Sequence, residues 1–324
     1  MKLSIAMATY NGADFIQEQL LSLMNQTLLP DELVVCDDGS TDGTLGLLEN
    51  FKSLASFEVK IFKNSKNLGH ELNFGRAIDL CKGDIIFLSD QDDVWFPEKL
   101  AAVAEIFNTE PGVLLVINDA EITDGNGMPT GRTVFSQTKA AGVIGEKSKS
   151  LTLGCATAIR SELRALISPV PSLEYGHDSW IHDFTHILGA RYVLNDVHQY
   201  YRRHGGNVSN WAFDGRAEAT MLDVMRPSAG KDLRPAYDKR VLTLELMSVR
   251  LVKIGKMKYD TIAKSRPFSD VLSDVNCAKD AVLRRKLMFE FGWFGRKTVA
   301  IYMLLRGEYR YFLGWKSFAK DLLR

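Results

Sequence analysis

Over the first 118 residues, short apolar runs alternate with segments whose apolar residues recur at helical spacing, and few architectures accommodate that alternation. The apolar runs are Leu3–Thr9, 33–37, 58–62, 84–89 and 113–118. Between them, Ile16, Leu20, Leu23 and Met24 mark one helix, Thr44–Leu54 a second and 72–81 a third, while 97–107 forms a fourth with Pro97 in its first turn. Continuous apolar strands separated by helices predict an α/β fold with a mostly parallel, doubly wound sheet. Ligands of such sheets bind beyond the carboxyl ends of the strands.

Polar residues cluster at those ends. Thr9-Tyr10-Asn11-Gly12 follows the first run, Asp37-Asp38-Gly39-Ser40-Thr41-Asp42 the second, and Ser89-Asp90-Gln91-Asp92-Asp93-Val94-Trp95 the run at 84–89. A single strand-end Asp is usually a helix cap, and Asp42 fits that role. Three such clusters on one sheet edge predict a site. Neither GxGxxG nor GxxxxGK[ST] is present, and Gly142–Ser148 comes nearest to the latter with Glu146 out of place. Phosphate charge must therefore be neutralised by other means. Asp90-Gln91-Asp92 places two carboxylates two residues apart, a set suited to a hard divalent cation, Mg²⁺ or Mn²⁺, that binds diphosphate oxygens.

The rest of the chain is less periodic. Residues 125–145 read as a glycine-rich loop, polar motifs return at Gly154-Cys155 and 176–183, and beyond Trp211 the pattern is mostly helical. A linker around 225–235 divides a catalytic domain, 1–225, from a helical C-terminal region, 226–324. Lys plus Arg balance Asp plus Glu at 40 each, yet the stretch from Arg284 onward holds ten basic residues, three acids and ten aromatics. That composition predicts a membrane-surface helix on anionic lipid, with self-association or packing on the main domain as the alternatives. No run approaches the roughly 20 apolar residues a membrane span needs. The N-terminus enters its first strand without a basic n-region, so no secretory signal is expected. Cys36, Cys81, Cys155 and Cys277 form no CxxC and read as reduced thiols. A cytoplasmic protein, peripheral on the inner face of the membrane, is the expectation.

Seven pieces in order carry a family resemblance: ATYNG at 8–12, VVCDDGSTDGT at 34–44, Asn67-x-Gly69 with Asn73-Phe74, FLSDQDDVW at 87–95, LGCA at 153–156, GHDSW at 176–180 and YYRRHGGN at 200–207. Over residues 1–211 the chain resembles the family 2 glycosyltransferases of the GT-A fold, and DQDDVW with HDSW resembles their bacterial rhamnosyltransferase-like branch. The resemblance implies an inverting, metal-dependent transferase acting in cell-surface polysaccharide synthesis. It would move a sugar, rhamnose from dTDP-rhamnose by preference, from a nucleotide-diphosphate donor to a glycan or lipid-linked hydroxyl; nothing points to nucleic acid. It also implies residue roles. Thr9, Tyr10, Asn11, Asp38, Asn67, Gly69, Asp90, Gln91, Arg202 and Arg203 would bind the nucleotide sugar, with Asp38 on the base. Asp92 and His204 would hold the metal, Asp178 would be the general base, and Gly154, Cys155 and His177 would face the acceptor or sugar, while Trp95 and Trp180 would either stack on the sugar or fill the core. His177 replaces an acid before Asp178, and QxxRW, the mark of processive synthases, is missing.

The chemistry agrees with this assignment: in-line displacement at an anomeric carbon needs a base for the acceptor proton and a cation for the departing diphosphate. A structural role for Asp178 as a helix cap is the competing reading. His182 and His186 share a helix face, but without HExxH they do not make a zinc site. Two other classes, a nucleotidyltransferase and a non-catalytic sugar-nucleotide scaffold, use similar acids. The first usually carries a basic glycine loop that Tyr10–Phe15 lacks, and the second would be free to lose Asp90, Asp92 or Asp178.

Overall fold

A computed structural model describes residues 1–140, 152–172, 176–207 and 234–323 of the chain. Two compact units are present, Met1–Arg216 and Ala217–Arg324. The boundary expected after residue 225, and the phosphate-loop near-miss at 142–148, lie outside the described residues.

The first unit opens with β1 (Leu3–Thr9), α1 (Ile16–Met24), β2 (Glu32–Asp37), α2 (Thr44–Leu54), β3 (Glu58–Lys63), α3 (His70–Leu80) and β4 (Ile85–Ser89). There follow β5 (Val94–Trp95), α4 (Lys99–Thr109), β6 (Leu115–Thr123), β7 (Pro129–Thr133), α5 (Val134–Ala140), β8 (Thr157–Arg160), α6 (Arg164–Ile167), α7 (His177–Leu188) and β9 (Arg191–Arg202). They build one sheet in the order β3-β2-β1-β4-β8-β6-β9-β5, with β7 beside β6. The pairs β3–β2, β2–β1, β1–β4 and β6–β9 are parallel, whereas β8, β5 and β7 pair antiparallel. The mostly parallel sheet is as expected, and its apolar strands are buried on both faces: Ile5, Met7, Leu33, Val35, Ile85 and Phe87 line one face with Ile16, Leu20 and Leu23 of α1 and Leu100, Val103 and Phe107 of α4, and Ala6, Val34, Ile86 and Leu88 are buried on the other.

Residues 125–145 are not simply a loop, since β7 and α5 fall within them. Asp124 makes the turn: its Oδ1 accepts the Asn126 and Met128 N–H groups at 2.9 Å each, folding β7 back on β6. The Asp119 carboxylate then accepts the Phe135 N–H at 2.9 Å and sets the start of α5. At the opposite end of the sheet from the polar clusters, Glu32 is buried and held by Ser4 Oγ at 2.5 Å and Lys60 Nζ at 2.7 Å. Burial works against its charge, but these bonds and the Lys82 N–H outweigh it and hold the carboxyl below its ordinary range.

The second unit is helical: α8 (Arg234–Ile262, broken at Gly255), α9 (Phe268–Leu287), α10 (Trp293–Leu305) and α11 (Trp315–Leu323). A small core of Ala281, Met288, Ala300, Met303 and Tyr309 holds its last part together. Among the described residues no helix is long and apolar enough to cross a membrane.

Candidate active site

The carboxyl ends of β1 and β2 lie side by side, with Thr9 opposite Asp37. Thr9 Oγ1 donates to Asp37 Oδ2 at 2.9 Å, so this hydroxyl is turned into the protein. Asn11 sits at φ 47°, a conformation Asn tolerates better than most residues. Its N–H donates to Ser40 Oγ and its Oδ1 accepts the Thr41 N–H, both at 2.9 Å, which locks the two strand-end loops together. Gln91 reaches across to the Tyr10 backbone, accepting its N–H at 2.9 Å and donating to its carbonyl at 3.1 Å. A Cβ at Gly12 would meet the Gln91 side-chain amide in this position.

Asp38 is 3% exposed and organises the next loop. Its Oδ1 accepts from Asn64 Nδ2 at 2.6 Å and the Leu68 N–H at 2.8 Å, and its Oδ2 accepts the Gly69 N–H at 2.8 Å. Asn67 Nδ2 donates to the Asp38 carbonyl at 3.2 Å. Asn67 and Gly69 are thereby held exposed at the rim, Gly69 at φ 83° opening α3.

Beyond β4, the predicted metal pair is joined: His204 Nε2 and Asp92 Oδ2 are 2.8 Å apart, and Asn207 Nδ2 lies 3.3 Å from the same oxygen. Phe15 stacks on the His204 ring at 4.3 Å. Burial, then the Asp90 charge, push the Asp92 carboxyl above its ordinary range despite His204. Asp90 Oδ1 stands 3.8 Å from His70 Nε2. Burial disfavours the His70 charge, but Asp90 outweighs it and raises the imidazole's pKa. His70 lies at the start of α3, one residue past the Asn67-x-Gly69 motif, and its neighbourhood to Asp90 was legible only as that adjacency.

Asp178 enters from the first turn of α7, where its Oδ1 accepts the Ser179 N–H at 2.7 Å. Burial raises its pKa and the Asp90 charge adds to that, against the opposing pull of Ser179 N–H and His70. Asp90, His70 and Asp178 are thus in electrostatic contact. Gly176, next to the first residue of α7, is tied to α3: its N–H donates to Glu71 Oε1 at 2.6 Å.

Several residues predicted to face a ligand are instead interior. Trp95 and Trp180 are 2% and 1% exposed, so neither offers a ring face to a sugar. Trp95 packs in the sheet core, and Trp180 Nε1 donates to the Ile167 carbonyl at 2.9 Å. His177 is buried, stacked on Phe74 at 4.1 Å and 4.9 Å from the His70 ring, with Gly154 against it; burial keeps it neutral. Arg202 is buried as well and braces the backbone at Asp92: it donates to the Asp92 carbonyl at 3.1 Å and pairs with Glu18 at 2.6 Å. Arg203, half-buried, lies over the Tyr201 ring.

Cys155 is also buried, in a polar cluster that the sequence did not single out. Lys99 Nζ donates to the Cys155 carbonyl at 3.0 Å and to Gln199 Oε1, and lies 3.8 Å over Trp95. Gln199 Nε2 in turn donates to Asp93 Oδ2 at 2.9 Å and Cys155 Sγ at 3.3 Å. Burial pulls Lys99 down to about 7 and pushes Asp93 well up. The cluster fixes Asp93, directly after Asp92, from behind. Nothing in a lysine at the start of an amphipathic helix marks it as buried.

The donor chemistry around Asp92 suits a hard divalent cation. Two carboxylates, Asp90 and Asp92, are close enough to raise Asp92, and an imidazole already rests on its oxygen. A second group, Asp90, Asp93 and Cys155, has ligand atoms within 4.8 Å of one another. There Asp93 and Cys155 are buried and engaged by Gln199, which fits a hard cation less well.

Comparison with known proteins places this geometry. The family model "Glycosyl transferase family 2" matches residues 4–166, half of the chain. An uncharacterized glycosyltransferase of Nostoc, alr2836, is 28% identical over 250 residues, covering 73% of this chain and 74% of the relative. The dTDP-rhamnosyl transferase RfbG of Shigella flexneri is 35% identical over 133 residues, but that match covers only 39% of this chain and 43% of RfbG. Residues 1–349 of S. aureus TarS, solved with UDP-GlcNAc, superpose with a TM-score of 0.57 over 99% of this chain and 91% of that one, at 16% identity, a likeness of fold alone. The sheet is a GT-A sheet, and the chain belongs to glycosyl transferase family 2.

Proposed function

We propose that the chain is a metal-dependent, inverting glycosyltransferase that takes a sugar from a nucleotide diphosphate to an acceptor hydroxyl. The observation that carries this reading is the meeting of Asp90, the Asp92–His204 pair and Asp178 beyond the ends of β4 and α3. Asp92 and His204 would hold the cation, with Asp90 beside them; when bound, it would neutralise the diphosphate that leaves. Asp38 keeps acceptor capacity on Oδ2, where Gly69 is its partner, and can receive an N–H of the base. Asn67, Gly69, Asn11 and Tyr10 border the nucleoside. Arg203, half-buried over the Tyr201 ring, would contact the phosphates. Asp178 takes the acceptor proton, and its raised pKa makes it a stronger base than an exposed carboxylate.

Rhamnose from dTDP-rhamnose is the favoured donor, supported by the likeness to RfbG. A lipid-linked or glycan acceptor is supported by E. coli WfaP, which glucosylates a diphosphoundecaprenol-linked sugar from UDP-Glc and is 28% identical over 208 residues, 64% of this chain and 79% of WfaP. The test is single-turnover transfer from dTDP-rhamnose, UDP-glucose and UDP-GlcNAc to a lipid-linked acceptor, in wild type and Asp178→Asn. Transfer that the substitution removes while donor binding persists supports the assignment; an Asp178→Asn protein that transfers at the wild-type rate refutes it.

A further inference from the structure

The second unit carries an apolar face that the sugar chemistry does not use. In α10, Ala300 and Met303 point into the local core. On the other side, Phe294, Thr298, Ile301 and Leu305 follow at intervals of four, three and four residues and form one stripe. Phe294 and Leu305 are each 81% exposed. Beyond the helix, Leu313 and Trp315 are exposed too. A helix with apolar residues on both its inner and outer faces needs a second apolar phase for the outer one.

The charges select that phase. Two acids of this segment are withdrawn from the surface: Glu308 is buried between Arg284 at 2.7 Å and Arg306 at 3.0 Å, and Asp321 is buried against Arg285 at 2.8 Å. Lys297, by contrast, lies along an exposed aromatic, its Nζ 3.5 Å over the Trp293 ring. Such a pair suits the boundary between acyl chains and headgroups, with the ring at the interface and the cation reaching phosphate. We propose that the outer face of α10, with Lys297 on its flank and the exposed Lys316 in α11, docks on an anionic lipid bilayer.

The test is flotation of the full chain with vesicles of phosphatidylcholine and phosphatidylglycerol at three to one, against vesicles of phosphatidylcholine alone. Two variants accompany it: Phe294→Ser/Ile301→Ser/Leu305→Ser, which removes the stripe, and Lys297→Glu/Lys316→Glu, which reverses two charges while leaving the stripe itself intact. The wild type should float with anionic vesicles only, and each variant should lose roughly tenfold or more in partitioning. Failure of the wild type to bind anionic vesicles, or equal binding by the stripe variant, overturns the proposal. So does light scattering showing that the stripe variant splits an oligomer of the wild type, since the face would then join copies of this chain. No nucleotide sugar enters the assay, so its outcome is separate from that of the transfer experiment.

Discussion

Replacing Asp38 by Ala should loosen the rim of the donor site before it touches chemistry. The carboxylate receives three donors, Asn64 Nδ2, Leu68 N–H and Gly69 N–H, and is 3% exposed. Hydrogen bonds to a charged acceptor contribute about 1.5–3 kcal/mol each. Water can reach the exposed Gly69 after the change, whereas the buried Asn64 amide retains Asn73 Oδ1 as a partner. The loss should therefore fall below the three-bond sum of about 4.5–9 kcal/mol, at about 3–4 kcal/mol. For a unit of this size, that lowers Tm by roughly 6–16 °C. Calorimetry of Asp38→Ala and Asp38→Asn measures it directly, the Asn variant losing less because it keeps one acceptor oxygen. A Tm within about 2 °C of wild type in Asp38→Ala would refute the claim that this carboxylate holds the 64–69 loop.

Three further outcomes are expected. Glu32, with a folded pKa below its unfolded one, stabilises the protein above the unfolded pKa, and that contribution disappears as pH falls through the folded pKa; melting followed from neutral to acid pH should show a shallower acid decline in Glu32→Gln than in wild type. Asp178 has the opposite sign: its raised folded pKa means the native state binds more protons, so stability falls as pH rises through that interval. Asp178→Asn should then melt no lower than wild type at neutral pH while transferring at least about a hundredfold more slowly, which thermal scans and single-turnover rates resolve together. Lys99→Met should cost about 2–3 kcal/mol by leaving Gln199 Oε1 and the Cys155 carbonyl unpaired, measured by urea titration, and a neutral effect would show that the cluster behind Asp93 is dispensable.

The parallel half of the sheet was legible because β1, β2 and β4 are continuous apolar runs and α1 and α2 have clear faces. The strands that complete it were not: β8 has only four residues, and β9 mixes Asn195, Asp196, His198 and Gln199 among its apolar positions. The acids at strand ends were readable since a polar cluster after a buried strand stands out locally. What each side chain turns toward was not. Trp95 and Trp180 look the same in sequence whether they face a sugar or the core, and Arg202 reads as a phosphate ligand until Glu18, 184 positions earlier, is found against it. His70 and Lys99 gain their roles from partners on other elements, information that no local pattern holds.

The most direct test of the whole account is thermal shift against UDP, dTDP and GDP and their sugar conjugates, with and without Mn²⁺, in wild type and Asp92→Ala. Binding confined to the native state raises its stability by about 2.7 kcal/mol at a hundred times Kd. The account predicts that one nucleotide diphosphate raises Tm only when metal is present, and that Asp92→Ala abolishes the rise while folding normally. No shift from any of them at millimolar concentration with Mn²⁺, or the same shift in Asp92→Ala, would contradict it.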